Sequence, residues 1–310
     1  MKLVEHQDNL NLKSPTRIRV VILGSGNIGT DLAMRMMNDE RFEVRAVVGR
    51  RVDSPGLMLA SSSGLNTFSN GLSEFLQSEL EFDLAFDATS AIEHGTHWLE
   101  VKRLGKTMID LTPSKLGESM VPILIGKHPS FSMLTTSKEA INYSMVTCGG
   151  QSSAGILFAL SSASQGVTRV EISSSIASKS AGPATRRNID NYIAATEELA
   201  IKISGVPSAK AILVLNPAEP PVMMRTTVTV CAQSLSMGRA NELLEVVENE
   251  MRSFVPGFRI VVPAHSEVAG VYSSTAIVEG SGFYLPSYAG NLDVINAAAV
   301  QTAWMHMRVN

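Results

Sequence analysis

The chain has 310 residues, and its 26 Lys and Arg against 29 Asp and Glu give a formal net charge of −3, without the basic excess that nucleic-acid binding requires. No run of about 18 apolar residues offers a membrane-spanning helix. Two cysteines exclude a disulfide scaffold and point to a reducing, cytoplasmic setting.

The first 16 residues are polar, lack the apolar stretch of a signal peptide, and read as a poorly ordered lead-in. Residues 18–23 (IRVVIL) form a β-branched apolar run suited to a buried parallel strand. Residues 27–37 carry apolar side chains at helical spacing, and 42–48 read as a second strand. Strand, tight glycine turn, helix and strand make a βαβ unit. Further strands are predicted at 84–86, 107–111 and 144–147, with a helix at 91–104. This alternation predicts an α/β fold built on a mainly parallel sheet. After Cys148 the pattern changes. A helix is predicted at 151–164, then strands at 167–177, 209–215, 226–233, 259–263 and 270–278, with helices at 185–203 and 237–254. Alternation of apolar and polar residues at 169–175 and 226–229 predicts an antiparallel or mixed sheet with one wetter face. The last run, 291–307, is helical and Ala-rich.

Gly24-Ser25-Gly26-Asn27-Ile28-Gly29 is a GxGxxG segment between a predicted strand and a predicted helix. Gly24 permits the tight turn, Gly26 lets the backbone approach a pyrophosphate, and Gly29 allows close helix–strand packing. The helix start supplies free N–H groups for phosphates. The segment therefore predicts dinucleotide binding, against a plain structural turn. An NAD site usually has an acid at the end of the second strand; here stand Arg50 and Arg51, with no acid until Asp53. The two guanidinium groups are either a 2′-phosphate site, which would favour NADP, or two solvated charges.

Cys148 lies in MVTCGGQ (145–151), between a predicted strand and a predicted helix. A helix N-terminus favours the thiolate, and flanking glycines leave room for substrate and for N–H donors around an oxyanion. The ordinary alternative is a small buried cysteine beside a tight turn. Cys231, within TTVTVCAQ, reads as a core residue.

These features combine with longer segments: GSGNIGTDL (24–32), DLTPSKLG (110–117), SKSAGPATRRNID (178–190), LNPAEPPVMMR (215–225) and YLPSYAGNLD (284–293). With them the chain resembles, from residue 18 to about 307, the CoA-acylating acetaldehyde dehydrogenases that partner 4-hydroxy-2-oxovalerate aldolases in aromatic catabolism. The resemblance implies that Cys148 attacks a short-chain aldehyde to give a thiohemiacetal. Hydride then passes to NAD or NADP, and coenzyme A takes the acyl group from a thioester. It implies a fold similar to the semialdehyde and glyceraldehyde-phosphate dehydrogenases: a Rossmann domain at 17–150, to which a C-terminal helix at 288–310 returns, and an α+β mixed-sheet catalytic and dimerisation domain at 151–287. It further implies a homodimer and an aldolase-type partner. Ser25, Gly26, Asn27 and Ile28 carry over to the pyrophosphate turn. Ser180, Ala181, Gly182, Pro183, Ala184, Thr185, Arg186, Arg187 and Asn188 carry over to a cofactor-contacting loop, and Asn291 to a further cofactor contact.

Three departures stand out. The family commonly has Gly-Ile-Asp where this chain has Gly49-Arg50-Arg51. It commonly has Arg-Asp-Thr where this chain has Arg225-Thr226-Thr227, so a carboxylate is absent there. The stretch 258–280 is short by a loop. Two other readings stay open: a phosphate-using reductase of the semialdehyde dehydrogenase type, and a non-catalytic dinucleotide-binding scaffold for an aldolase. His94 and His97, three apart on a predicted helix, are read as a solvated face, and no metal site is expected. Asp190, Glu219, His128 and His265 are candidates for proton transfer, with caps and loop anions as the alternative for the two acids. Met34, Met36 and Met37 read as core filling.

Overall fold

The computed structural model describes residues 17–131 and 139–309; the expected lead-in at 1–16 lies outside them. Seven strands form the first sheet: β1 (Ile18–Leu23), β2 (Phe42–Val48), β3 (Thr67–Phe68), β4 (Leu84–Asp87), β5 (Thr107–Asp110), β6 (Glu118–Met120) and β7 (Asn142–Met145). Their order is β3-β2-β1-β4-β5-β7-β6, and every neighbouring pair is parallel. The connections carry α1 (Asn27–Met37), α2 (Pro55–Ser62), α3 (Leu72–Gln77) and α4 (Ala91–Arg103). Crossover helices cover a parallel sheet on its faces, which is why β4 and β5 are buried at every residue.

The second sheet follows α5 (Cys148–Ser162). Its strands are β8 (Ser164–Ala177), β9 (Ala209–Asn216), β10 (Met224–Leu235), β11 (Phe258–Val268) and β12 (Val271–Val278). The order is β11-β12-β10-β8-β9, parallel at β8–β9 and antiparallel elsewhere, so the sheet is mixed as expected. α6 (Pro183–Arg187), α7 (Ile189–Ser204), α8 (Met237–Arg252) and α9 (Gly290–Val309) complete the chain. The short stretch between β11 and β12 is a two-residue turn, Ala269-Gly270, in which Gly270 takes φ +79°.

Along β10, Met224, Thr226, Val228, Val230 and Ala232 alternate onto the buried face. α5 packs there: Ile156, Leu157 and Leu160 share one core with Ile172 and Val228. α9 joins both sheets. Val294 and Ala297 belong to that core, while Ala298, Ala299 and Ala303 pack with Leu32, Met36 and Ile109. Polar ties fix α9 and its lead-in against α1. Arg35 is paired with Asp293, both buried, and Asp31 accepts from Asn296 Nδ2 at 2.9 Å and from the Tyr284 amide at 3.2 Å.

Several expectations need correction. The strand before the cysteine is Asn142–Met145, and α5 begins at Cys148 itself instead of residue 151, because the Thr147 hydroxyl caps it by accepting from the Gly150 amide at 2.9 Å. The single helix expected at 185–203 is two, parted at Asn188. Met36 is core and Met34 packs against it, but Met37 is exposed. β3, β6, α2 and α3 are too short or too weakly patterned to be read from periodicity. Among the described residues no helix is long and apolar enough to cross a membrane.

Candidate active site

The glycine turn joins β1 to α1, and its geometry explains each glycine. Gly24 has φ +109°, and a Cβ there would lie 2.6 Å from the Ala88 carbonyl oxygen. A Cβ on Gly29 would lie 1.9 Å from the Gly24 carbonyl oxygen. Neither position admits a side chain. A Cβ on Gly26 would meet nothing within 4 Å, so the open side of the turn lies here, at the N-cap of α1. No acid stands in the first turn of α1 to satisfy its free N–H groups. Ser25 Oγ lies 2.8 Å from Ser54 Oγ.

Arg50 and Arg51 end β2 in exposed positions. Arg50 reaches Glu93 at 3.4 Å, and Arg51 holds Asp53 at 2.7 Å. Each arginine thus already faces a carboxylate, which an incoming phosphate would have to displace.

The strand end beneath Gly24 carries a network that the sequence reading missed. His94, expected on a solvated face, is fully buried, and His97 is largely covered. Both Nδ1 atoms lie 3.0 Å from Asp87 Oδ2 at the end of β4. His94 Nε2 lies 2.8 Å from Asn142 Nδ2 and 3.4 Å from Asp110 Oδ2, so the ring stands between two buried carboxylates. Asp87 also accepts from the Thr89 amide at 3.0 Å and from its hydroxyl at 2.5 Å. These hydrogen bonds, His94 and His97 first, hold the Asp87 carboxyl well below the usual carboxylate range against the opposing effect of burial. The network fixes residues 88–90, the surface on which Gly24 rests. Among the described residues no cluster of His, Cys, Asp and Glu is arranged to hold a metal ion.

Cys148 is the first residue of α5 and half-buried. It opens onto a cavity of about 540 Å³. Ile28, Thr185, Asn188 and Asn291 line the same cavity, so the structure brings the start of α1, the 178–190 loop, α9 and the cysteine to one place. Asn291 is 1% exposed, and its Oδ1 has no hydrogen-bond partner among the described residues. The other titratable lining groups are Tyr192, Lys115, Glu198 and Lys202, with Lys115 Nζ 3.1 Å from Glu198. Burial pushes the Cys148 thiol up to about 11, while Tyr192 and the Gly149 amide pull the other way.

The remaining candidates scatter. Ser180 and Ala181 are buried, and the Ser180 hydroxyl donates to the Ala177 carbonyl at 2.8 Å. Gly182 has open space where a Cβ would stand, and Pro183 and Ala184 open α6. Arg186 folds back, donating to the Ala181 and Ser178 carbonyls at 3.0 and 2.8 Å, while Arg187 is exposed. Asp190 is exposed, Glu219 is paired with Lys179 at 2.6 Å, His128 lies 3.0 Å from the Ile203 carbonyl and His265 is half-buried on β11. None of these four lines the cavity. Cys231 is a half-buried strand residue.

Comparison with known proteins places this architecture. Residues 148–286 match the family model of the prokaryotic acetaldehyde dehydrogenase dimerisation region. An acetaldehyde dehydrogenase of Pectobacterium atrosepticum is 40% identical over 297 residues, 96% of this chain and 97% of its own. The chain belongs to the acetaldehyde dehydrogenase family. A second member, from Burkholderia thailandensis, is 42% identical over 289 residues, 93% of this chain and 94% of its own. The fold of this family member is that of the semialdehyde dehydrogenases. Aspartate semialdehyde dehydrogenase II of Vibrio cholerae superposes with a TM-score of 0.59 at 14% identity, over 94% of this chain and 99% of the other. The Candida albicans enzyme, solved with NADP, gives 0.61 at 10% identity, over 94% and 100%. The chain is an oxidoreductase of the aldehyde dehydrogenase type.

Proposed function

We propose that this protein oxidises acetaldehyde or another short-chain aldehyde to acyl-CoA, with Cys148 as nucleophile, a nicotinamide cofactor and coenzyme A. The observation that carries this reading is the shared cavity, where Cys148 meets the start of α1 and Asn291. The residues present fit a nicotinamide dinucleotide. The open side at Gly26 and the free N–H groups of α1 would hold its pyrophosphate, and the unpartnered Oδ1 of Asn291 would accept from its carboxamide. When bound, the ring supplies a hydride acceptor. Cys148 adds to the aldehyde carbon, holds the acyl group as a thioester after oxidation, and releases it to the CoA thiol. The N–H groups of Cys148 and Gly149 at the start of α5 would stabilise the oxyanion. The test is acceptor dependence: turnover with aldehyde and cofactor is expected to require CoA, and phosphate supporting turnover in its place would overturn the assignment.

We also propose the division into a cofactor domain at 17–150 with 288–310, and a catalytic domain at 151–287, supported by the two sheets. A homodimer is supported by the dimerisation model on 148–286. The aldolase partner rests on the sequence resemblance; co-purification of a co-expressed aldolase of that type tests it.

Cofactor choice is tested at the end of β2. Arg50 and Arg51 are exposed and engaged with acids, so their preference for a 2′-phosphate is screened. Arg50→Ala with Arg51→Ala is expected to lower the NADP-to-NAD ratio of kcat/KM by roughly tenfold, about 1.4 kcal/mol. An unchanged ratio would make both arginines ordinary surface charges.

A further inference from the structure

The Cys148 sulfur stands 4.0 Å from the hydroxyl of Tyr192, which lines the same cavity from α7. Behind Tyr192 runs a chain of hydroxyls. The Tyr192 hydroxyl faces Ser174 on β8, and both crowd the space where a Cβ at Gly149 would stand. Ser174 Oγ lies 3.2 Å from Thr226 Oγ1 on β10, and Thr226 Oγ1 lies 2.8 Å from Ser152 Oγ on α5. Ser152 donates to the Gly149 carbonyl at 3.1 Å. Ser152 and Thr226 are each 1% exposed, as is Ser174. The chain therefore leaves the cysteine, crosses two strands, and returns to the residue beside it. Its place on the inner face of β10 falls to a threonine among apolar neighbours, so its cost is met by pairing every hydroxyl.

Resting on Cys148 as the nucleophile, we infer that Tyr192 is a catalytic residue which carries the thiol proton to the aldehyde oxygen, with Ser174, Thr226 and Ser152 positioning its hydroxyl. Hydroxyls both donate and accept, and the chain can run either way round. In one sense Ser152 anchors it on the Gly149 carbonyl and Tyr192 accepts from the thiol. In the other, Tyr192 donates towards the sulfur and the cavity. As the C–S bond forms, the S–H bond and the carbonyl π bond break. Tyr192 takes the sulfur's proton on its oxygen and gives its own to the former carbonyl oxygen, which becomes the thiohemiacetal hydroxyl. Tyr192 ends as it began, and no external base is consumed. The three hydroxyls behind Tyr192 are buried, so the proton moves between two atoms of the site without passing to solvent.

A thiol proton must leave during attack, and the Tyr192 hydroxyl is the group that stands beside the sulfur. Gly149 belongs to the same device: a Cβ there would lie 2.0 Å from the Tyr192 hydroxyl, so this residue must be glycine for the tyrosine to reach the sulfur. The charged groups facing the cavity, Lys115, Glu198 and Lys202, are not members of the hydroxyl chain.

The experiment compares wild type with Tyr192→Phe, Thr226→Val, Thr226→Ser and Cys148→Ala, each checked for an unchanged melting temperature and cofactor affinity. Tyr192→Phe is expected to slow aldehyde oxidation by about 10²-fold or more and iodoacetamide labelling of Cys148 at pH 8 by roughly tenfold, because the donor that favours the thiolate is gone. Thr226→Val is expected to lose about tenfold in turnover, and Thr226→Ser to restore it. The inference is overturned if Tyr192→Phe stays within about threefold of wild type in either measurement, or if Thr226→Ser is no better than Thr226→Val. Cys148→Ala separates the two readings: if it is inactive while Tyr192→Phe is normal, the tyrosine assignment alone falls, whereas an active Cys148→Ala removes the nucleophile as well.

Discussion

Cys148→Ala is expected to lower kcat/KM for aldehyde oxidation by on the order of 10⁴-fold or more, the scale seen when a covalent nucleophile is removed. At about 1.4 kcal/mol per decade that is at least roughly 5.5 kcal/mol of lost transition-state stabilisation. Cofactor binding is expected to stay the same, because the glycine turn at 24–29 is built from β1 and α1 and makes no use of the thiol. Cys148 is a small, half-buried residue and the change removes a single heavy atom, so a fold defect does not explain such a loss. A spectrophotometric assay with saturating cofactor measures it, and a variant keeping a tenth of the wild-type turnover would contradict the assignment.

Asp87→Ala is expected to destabilise the protein by about 3–5 kcal/mol, because several buried donors lose their acceptor at about 1–3 kcal/mol each. The substitution strands the Nδ1 atoms of His94 and His97 and both donors of Thr89. It also loosens residues 88–90 under Gly24, so cofactor affinity falls with stability. The pH dependence has a definite sign. The carboxyl of Asp87 is held below its unfolded value near 3.9. Its contribution is therefore complete above about pH 4 and is lost as the pH falls through the lower folded value. The difference in urea midpoint between wild type and Asp87→Ala is expected to be constant from pH 7 to about 5 and to shrink below 4. A difference that grows on acidification would contradict this role.

Much of the first sheet was legible because its strands are continuous apolar runs and its glycines have no substitute. β1, α1 and β2 fall where periodicity puts them. The start of α5 was not legible in the same way. Gly149 and Gly150 read as a loop, yet they lie in the first helical turn capped by Thr147, and residue 149 is glycine because Tyr192 from α7 leaves no room for a Cβ. His94 and His97 show a second limit. Their spacing describes a helix face, and only the fold tells that this face turns towards a carboxylate at the end of β4. The absent acid at Thr226 was visible as a departure. What stands there, a hydroxyl paired to β8 and α5, depends on strand register that no local pattern encodes.

In the proposed reaction Cys148 carries the acyl group between oxidation and transfer to CoA. The direct measurement mixes enzyme with aldehyde and cofactor, without CoA, and follows reduced nicotinamide and intact protein mass together. Covalent transfer through Cys148 gives a burst of one reduced cofactor per active site, one acyl group added to the peptide containing Cys148, and loss of that group on adding CoA. A burst without the adduct, or an adduct on another residue, would contradict it.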